Sequence, residues 1–259
     1  MGRPITEELL ILTKTYPSPS ATYWETTGVA AINRQGEMRR LFPVPYRLLE
    51  GTAQFKKWEW ITARLTKPTK DHRPESHRLD ADSISRSGDV IKTTGGNWSE
   101  HLHWIEPHIV ENFAALETHR LTSGQTLGFL RASRIVELRI TPVKQTDWTE
   151  ADKIELSQDG LFDTHEVKSR PPLRKLPFDF HYKYESAIST GVETNVHKLV
   201  DWEVGALYWN CFQDYGTRWE EKLRQKTGNR FCPKRFVVPD GNDSQISRPV
   251  ADCWNRLSA

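Results

Sequence analysis

A chain of 259 residues, 37% apolar and 27% charged, is long enough for one large domain or two small ones, and ten Trp make it too rich in large aromatics to be disordered. Its three cysteines, Cys211, Cys232 and Cys253, contain no CxxC pair, and the early apolar run 9–12 is too short for a secretion signal or a membrane span. The net charge is only +2, yet residues 9–73 hold 11 basic against 5 acidic side chains, which favours a polyanionic partner over a membrane.

In chain order, "LLILTKTYPSPS" reads as a strand ending in a turn at Pro17–Pro19. "TTGVAAINRQGEMRRLFPV" reads as a β-hairpin with arms 26–32 and 38–44, Gly36 supplying the positive φ of its loop. "YRLLEGTAQFKK" has room for a short helix. "WEWITARLT" alternates, placing Trp58, Trp60, Thr62 and Arg64 on one strand face and Glu59, Ile61, Ala63 and Leu65 on the other. "RPESHRLDADSISRSGD" reads as connecting loop. The stripe Leu102, Ile105, Ile109, Phe113 and Leu116 predicts a helix that Ser99 caps and Pro107 kinks or splits.

"QTLGFLRASRIVELRIT" predicts one or two strands, "DWTEADKIELSQDGLF" a short polar helix, and "LRKLPFDFHYKYES" an alternating strand. "HKLVDWEVGALYWNCFQDYGTRWEEKLRQKTG" predicts a long helix, apolar on two adjacent stripes and central to the core, with Gly228 as its C-cap. After it the texture is irregular, with only "RFVV" strand-like. The expected fold is α+β: an N-terminal antiparallel sheet or small barrel packed with helices, and a central buried C-terminal helix. The expected division is a basic β-rich part over 1–80, an α+β part over 81–228 continuous with it, and an irregular tail over 229–259.

The chemistry-bearing residues concentrate in the first part. Lys14, Arg39, Arg40, Arg47, Lys56, Lys57, Arg64 and Lys67 interleave with Tyr16, Phe42, Tyr46, Phe55, Trp58 and Trp60, the combination that binds single strands through stacked bases and neutralised phosphates. "DHRPESHRLD" adds Arg73 and Arg78, whose guanidinium groups suit phosphate. Its Asp71 and Glu75, with Glu203 of the C-terminal helix, are the carboxylates an enzyme would use. His72 and His77, and the set His101, His108 and Glu111, lack metal-ligand spacing, so neither a metal nor a cofactor is expected.

"LTKTYPSPS", "RRLFPVPYRLL", "QFKKWEWI", "DHRPESHR", "KLPFDFHYKYE" and "DWEVGALYWN" together resemble a family of uncharacterised bacterial proteins with runs of the type KTYPxPS, RLYP[VI]P[FY]R, DxRPES[YF]R and DWE[IV]GALY. The resemblance covers residues 9–228 and implies a folded unit of bacterial or phage origin; it carries over no catalytic residue. The position of His77 is usually aromatic in that family, which shifts weight to Arg73 and Arg78. The family's apolar ending is absent, and a one-base shift could restore it, so residues from Asn229 onward read as translated out of frame. The leading expectation is a cytoplasmic, non-catalytic nucleic-acid-binding accessory protein of a mobile-element or defence locus, binding DNA or RNA and other proteins of that locus. The alternatives are an enzyme acting on nucleic acid or nucleotides and a protein–protein assembly module.

Overall fold

The computed structural model describes residues 3–93, 95–157, 171–228, 235–237, 247–248 and 250–251. The chain divides into two units, one of Met1–Trp104 with Lys144–Pro177 and one of Ile105–Val143 with Phe178–Ala259.

The first unit is built on β1 (Ile5–Lys14), β2 (Ser18–Ser20), β3 (Trp24–Asn33), β4 (Met38–Val44), β5 (Glu59–Thr66), β6 (Ser76–Leu79) and β7 (Ser85–Val90). Five of these close on themselves in the order β1-β3-β4-β6-β5, with β5 returning to β1 from Ile5↔Leu65 to Leu10↔Trp60. The predicted hairpin is β3–β4, with Gly36 at φ 80° in its turn. All the barrel pairings are antiparallel except β4–β6, where Arg40 and Leu41 lie opposite Ser76 and His77. Five strands so ordered form the Greek-key barrel of the OB-fold. The stretch expected to be loop thus supplies β6, the strand that completes the barrel, and β7, which extends the sheet beside β5.

Alternation fills the barrel. Leu9, Ile11, Val29, Ala31, Leu41, Val44, Ile61, Ala63 and Leu65 point inward and are buried with Leu49 and Phe55. The short helix expected near residue 46 is a 3₁₀ turn, Tyr46–Leu48. Residues 144–177 rejoin this unit through α3 (Glu150–Ser157), which packs beside β2 and β3; within the segment, Trp148 Nε1 donates to the Leu173 carbonyl at 2.8 Å.

Pro107 does split the predicted helix. α1 (Ser99–Ile105) ends in a 3₁₀ turn at Glu106–His108, Ile109 enters the short strand β8 (Ile109–Val110), and α2 (Phe113–Ser123) starts afresh. Ser99 is the first helical residue rather than the cap; its N–H donates to Asn97 Oδ1 at 2.9 Å. Asn112 caps α2 by accepting from the Ala115 N–H at 2.9 Å.

The second unit holds β9 (Phe129–Ala132), β10 (Arg134–Pro142), β11 (Phe178–Ile188) and β12 (Gly191–Leu199). It also has α4 (Trp202–Tyr215) and α5 (Trp219–Gly228). The short strands β13 (Arg235–Val237), β14 (Ser247–Arg248) and β15 (Val250–Ala251) complete two sheets, β10-β11-β12-β14 and β15-β13-β9-β8. On one face of the first of these, Phe178 and Phe180 meet Tyr208 of α4 at ring separations of 5.7 and 6.0 Å, and Trp219 meets Tyr208 at 4.9 Å.

The long C-terminal helix is corrected at its start and in its middle. Leu199 belongs to β12, Asp201 caps α4 by accepting from the Val204 N–H at 2.9 Å, and Gly216 at φ 54° separates α4 from α5. Its buried line is Val204, Leu207, Tyr208 and Cys211, at i, i+3, i+4 and i+7. The expected strand "RFVV" is β13; the rest of the 229–234 and 238–246 stretches, and 252–259, lie outside the described residues.

Candidate nucleic-acid interface

The barrel disposes of its cations in three ways. The first is to plug its ends. Arg39 points inward opposite Ala31 and is 9% exposed; its Nε and Nη2 donate to the Glu7 carboxylate at 2.7 Å, and Nη2 also reaches Glu37 at 2.5 Å. Asn33 Nδ2 donates to the same two carboxylates at 3.2 and 3.0 Å. Both Glu7 and Glu37 are therefore held below the usual carboxylate range: for Glu37 the Arg39 bond is the largest cause, while for Glu7 burial is the largest effect and opposes, and the bond and charge of Arg39 together with the Asn33 bond outweigh it. Near the far end of β1, Lys14 is also buried, donating to the Phe55 carbonyl at 3.2 Å with its ammonium 4.1 Å from the Tyr46 ring centroid.

The second way is to tie loops down. "DHRPE" occupies the connection between β5 and β6, beside the Arg39 plug. Lys67 Nζ donates to the carbonyls of Arg73 (3.4 Å), Pro74 and Ser76 (3.3 Å). The Arg73 guanidinium grips Asp71 at 2.6 and 2.9 Å, which drives the Asp71 carboxyl far below its ordinary value. Glu75 is buried, and its carbonyl accepts from Nδ1 of buried His77 at 2.9 Å. Burial pushes the His77 imidazole down, and the neighbouring Lys67 and Arg39 push it further. Elsewhere Arg47 Nη1 donates to Glu25 at 3.0 Å and its Nη2 to the Pro171 carbonyl, while the Tyr16 hydroxyl donates to the Arg174 carbonyl at 2.8 Å.

The third way leaves side chains outside. Because Leu41, Leu65 and Leu79 turn inward, Arg40, Phe42, Thr66 and Arg78 turn outward on β4, β5 and β6. Arg40 lies opposite Ser76, and Arg78 two residues further along β6 lies opposite Thr66. Phe42 is 49% exposed, and Arg78 is exposed with no side-chain partner among the described residues. Arg64 shares this face but is paired with Asp80 at 2.5 and 2.9 Å. Lys56 and Lys70 are exposed in the flanking loops; Lys57 is half-buried.

The tryptophans expected to form a stacking platform do not. Trp58 is fully buried and takes a left-handed backbone (φ 60°), which takes it out of the alternation of β5; its N–H donates to the Ile11 carbonyl at 2.6 Å and its ring meets His101 edge-on at 4.6 Å. Trp60 stays on the outer face but is covered. It joins a row with Leu10, Ile32 and Met38 across β5, β1, β3 and β4, all buried, and Trp104 and the Arg34 guanidinium lie 4.9 and 3.6 Å from its ring. This side of the barrel is a second core layer.

The candidate carboxylates belong to different elements. Asp71 and Glu75 belong to the β5–β6 connection, whereas Glu203 lies in the first turn of α4, where the helix dipole favours a negative charge. His101, His108 and Glu111 fall on different elements, Glu111 pairing with Arg131 at 3.1 Å. Among the described residues no group of three or more His, Cys, Asp or Glu could hold a metal ion, and no helix is long and apolar enough to cross a membrane. The residue that sequence reasoning left out is Lys70. Phe42 was among the aromatics interleaved with the cations, and its strand parity relative to Leu41 is the signal that it faces out.

Two family models match the chain, each described as a domain of unknown function: DUF8758 over residues 5–107 and DUF8757 over residues 111–246. No curated protein matches. Among solved structures, a replication protein A heterotrimer bound to ssDNA aligns at 7% identity and a TM-score of 0.23, over 96% of this chain and 64% of that one. The second family match alone spans more than half of the residues, and the chain belongs to the DUF8757 family.

Proposed function

We propose that the barrel binds single-stranded nucleic acid, without catalysis, across the outer face of β4, β6 and β5. The observation that carries this is an OB-type barrel whose open face presents a half-exposed Phe42 flanked by outward Arg40 and Arg78. A ring at that height can take a base on its face, and a guanidinium on the neighbouring strand can take the adjoining phosphate. The fold supports this reading by analogy alone; the side chains on the face give it its chemistry.

Fluorescence anisotropy with labelled single-stranded DNA and RNA at low salt tests it. Binding should weaken as salt rises, and Phe42→Ala should weaken it by about 5- to 150-fold, the equivalent of one stacked base at about 1–3 kcal/mol. No binding of either strand at low salt removes the proposal.

A further inference from the structure

Arg64 lies on the same outer face as Phe42 and Arg78, yet it comes with an anion already in place. The strands β4, β5 and β6 turn no acidic side chain outward, since Glu59 lies on the inward side of β5 with Ile61. The carboxylate is that of Asp80, the residue after β6, whose N–H donates to the Arg64 carbonyl at 3.0 Å.

The two ends of this pair are held unequally. Asp80 is fixed through its backbone: besides the bond to β5, its carbonyl accepts from the Ser83 hydroxyl at 2.6 Å and from the Ser83 N–H at 3.1 Å, across the 3₁₀ turn Ala81–Ser83. Its short side chain therefore keeps a negative charge at the border of the face. Arg64 reaches it on a long stem and is 54% exposed.

The bond is also a partial use of the guanidinium. Arg39 and Arg73 fork across their carboxylates, Nε on one oxygen and Nη2 on the other, at Glu7 and Asp71. Arg64 instead sets Nε and Nη2 on the single oxygen Oδ2 of Asp80, at 2.9 and 2.5 Å. A phosphate offers two oxygens to that fork. An exposed ion pair contributes little against water, so one anion can replace the other at small cost.

We infer that Asp80 is the anion a bound strand displaces from Arg64: Arg64 is a phosphate contact covered in the free protein, and Asp80 limits the affinity of the face. This rests on the reading of that face as a single-strand interface. When a phosphate takes the guanidinium, Asp80 is uncovered beside the strand and draws a cation from solution. That uptake offsets the counterion the phosphate releases, so in the wild type Arg64 adds to binding but little to its salt dependence.

Anisotropy of a labelled single strand, measured over a salt series with the full chain and its variants, tests the exchange. Asp80→Asn should tighten binding by about 2- to 5-fold at low salt, the worth of one exposed pair, and steepen log affinity against log salt by about 0.7. Its melting curve should stay in place. Arg64→Ala should hardly change the slope of the wild type, yet flatten it by about 0.7 when made in Asp80→Asn, so the two substitutions couple. If the wild type binds and Asp80→Asn alters neither affinity nor slope, or if Arg64→Ala flattens both backgrounds equally, the inference is overturned and the face stands. If neither the wild type nor Asp80→Asn binds at low salt, the face itself is refuted and the inference with it.

Discussion

The Arg39 end of the barrel and the open face of β4, β6 and β5 hold the same kinds of residue and use them oppositely. At the end, Arg39 is withdrawn from water and satisfied by Glu7 and Glu37, and Lys67 is spent on three carbonyls. On the open face, Arg78 has no side-chain partner among the described residues and Phe42 is half in water. A barrel of short strands has two mouths through which water could reach its core, and a hydrogen-bonded ion cluster closes one without leaving a buried charge unpaired. Local positive charge in the sequence thus reports closure of the barrel as well as cations left on its surface.

The largest expected effect lies at the plug. Arg39→Ala leaves Glu7 and Glu37 facing each other with only Asn33 between them, and should lower stability by about 3 kcal/mol in urea unfolding. Arg39→Ala with Glu7→Gln should recover part of that loss, whereas independent additive losses would show that the cluster is not coupled.

Acid tests the same end more gently. Both His77 and His181 are pushed below the ordinary imidazole value, burial being the first cause in each. Their neutral forms are favoured by the fold, so their contribution is fully present above about pH 6.5 and is lost as pH falls from there through the depressed folded values. Glu7, Glu37 and Asp71 are also depressed, but they begin to withdraw support only as pH approaches the ordinary carboxylate range and below. Melting temperature should therefore fall in two stages on acidification, and His77→Gln should shrink the first stage, leaving the part due to His181. A first stage unchanged by His77→Gln would place the sensitivity elsewhere.

What the sequence revealed follows the same division. The hairpin, β5 and β11 were legible because an apolar in, polar out alternation reports a half-buried strand directly. β6 was not, because both of its faces are polar: buried Ser76 and exposed Arg78 on one, and buried His77, bonded to the Glu75 carbonyl, on the other. β12 was not, because its inner face is polar and bonded to Ser186 and Tyr184 while its valines face out. The site was half legible. Composition marked residues 9–73 as basic, and Arg40 within them and Arg78 just beyond them face outward. Which of the other cations were already engaged depended on Glu7, Glu25, Asp80 and backbone carbonyls, partners far away in sequence.

The smallest expected effect sharpens the comparison most, because it separates a phosphate contact from a structural charge. Arg78 is exposed on an outer strand face and makes no ion pair among the described residues, so Arg78→Ala should shift stability by less than about 0.5 kcal/mol. If the open face carries the strand, the same change should weaken binding across all sequences and make the dependence of log affinity on log salt shallower by about 0.7, one counterion's worth for a single strand. Arg64→Ala, which instead frees Asp80 from its pair, should weaken binding with less change of slope for its size, since a new negative charge is uncovered beside the strand. Equal slopes for the wild type and Arg78→Ala would move the contact off this face and leave Arg78 as ordinary solvated surface.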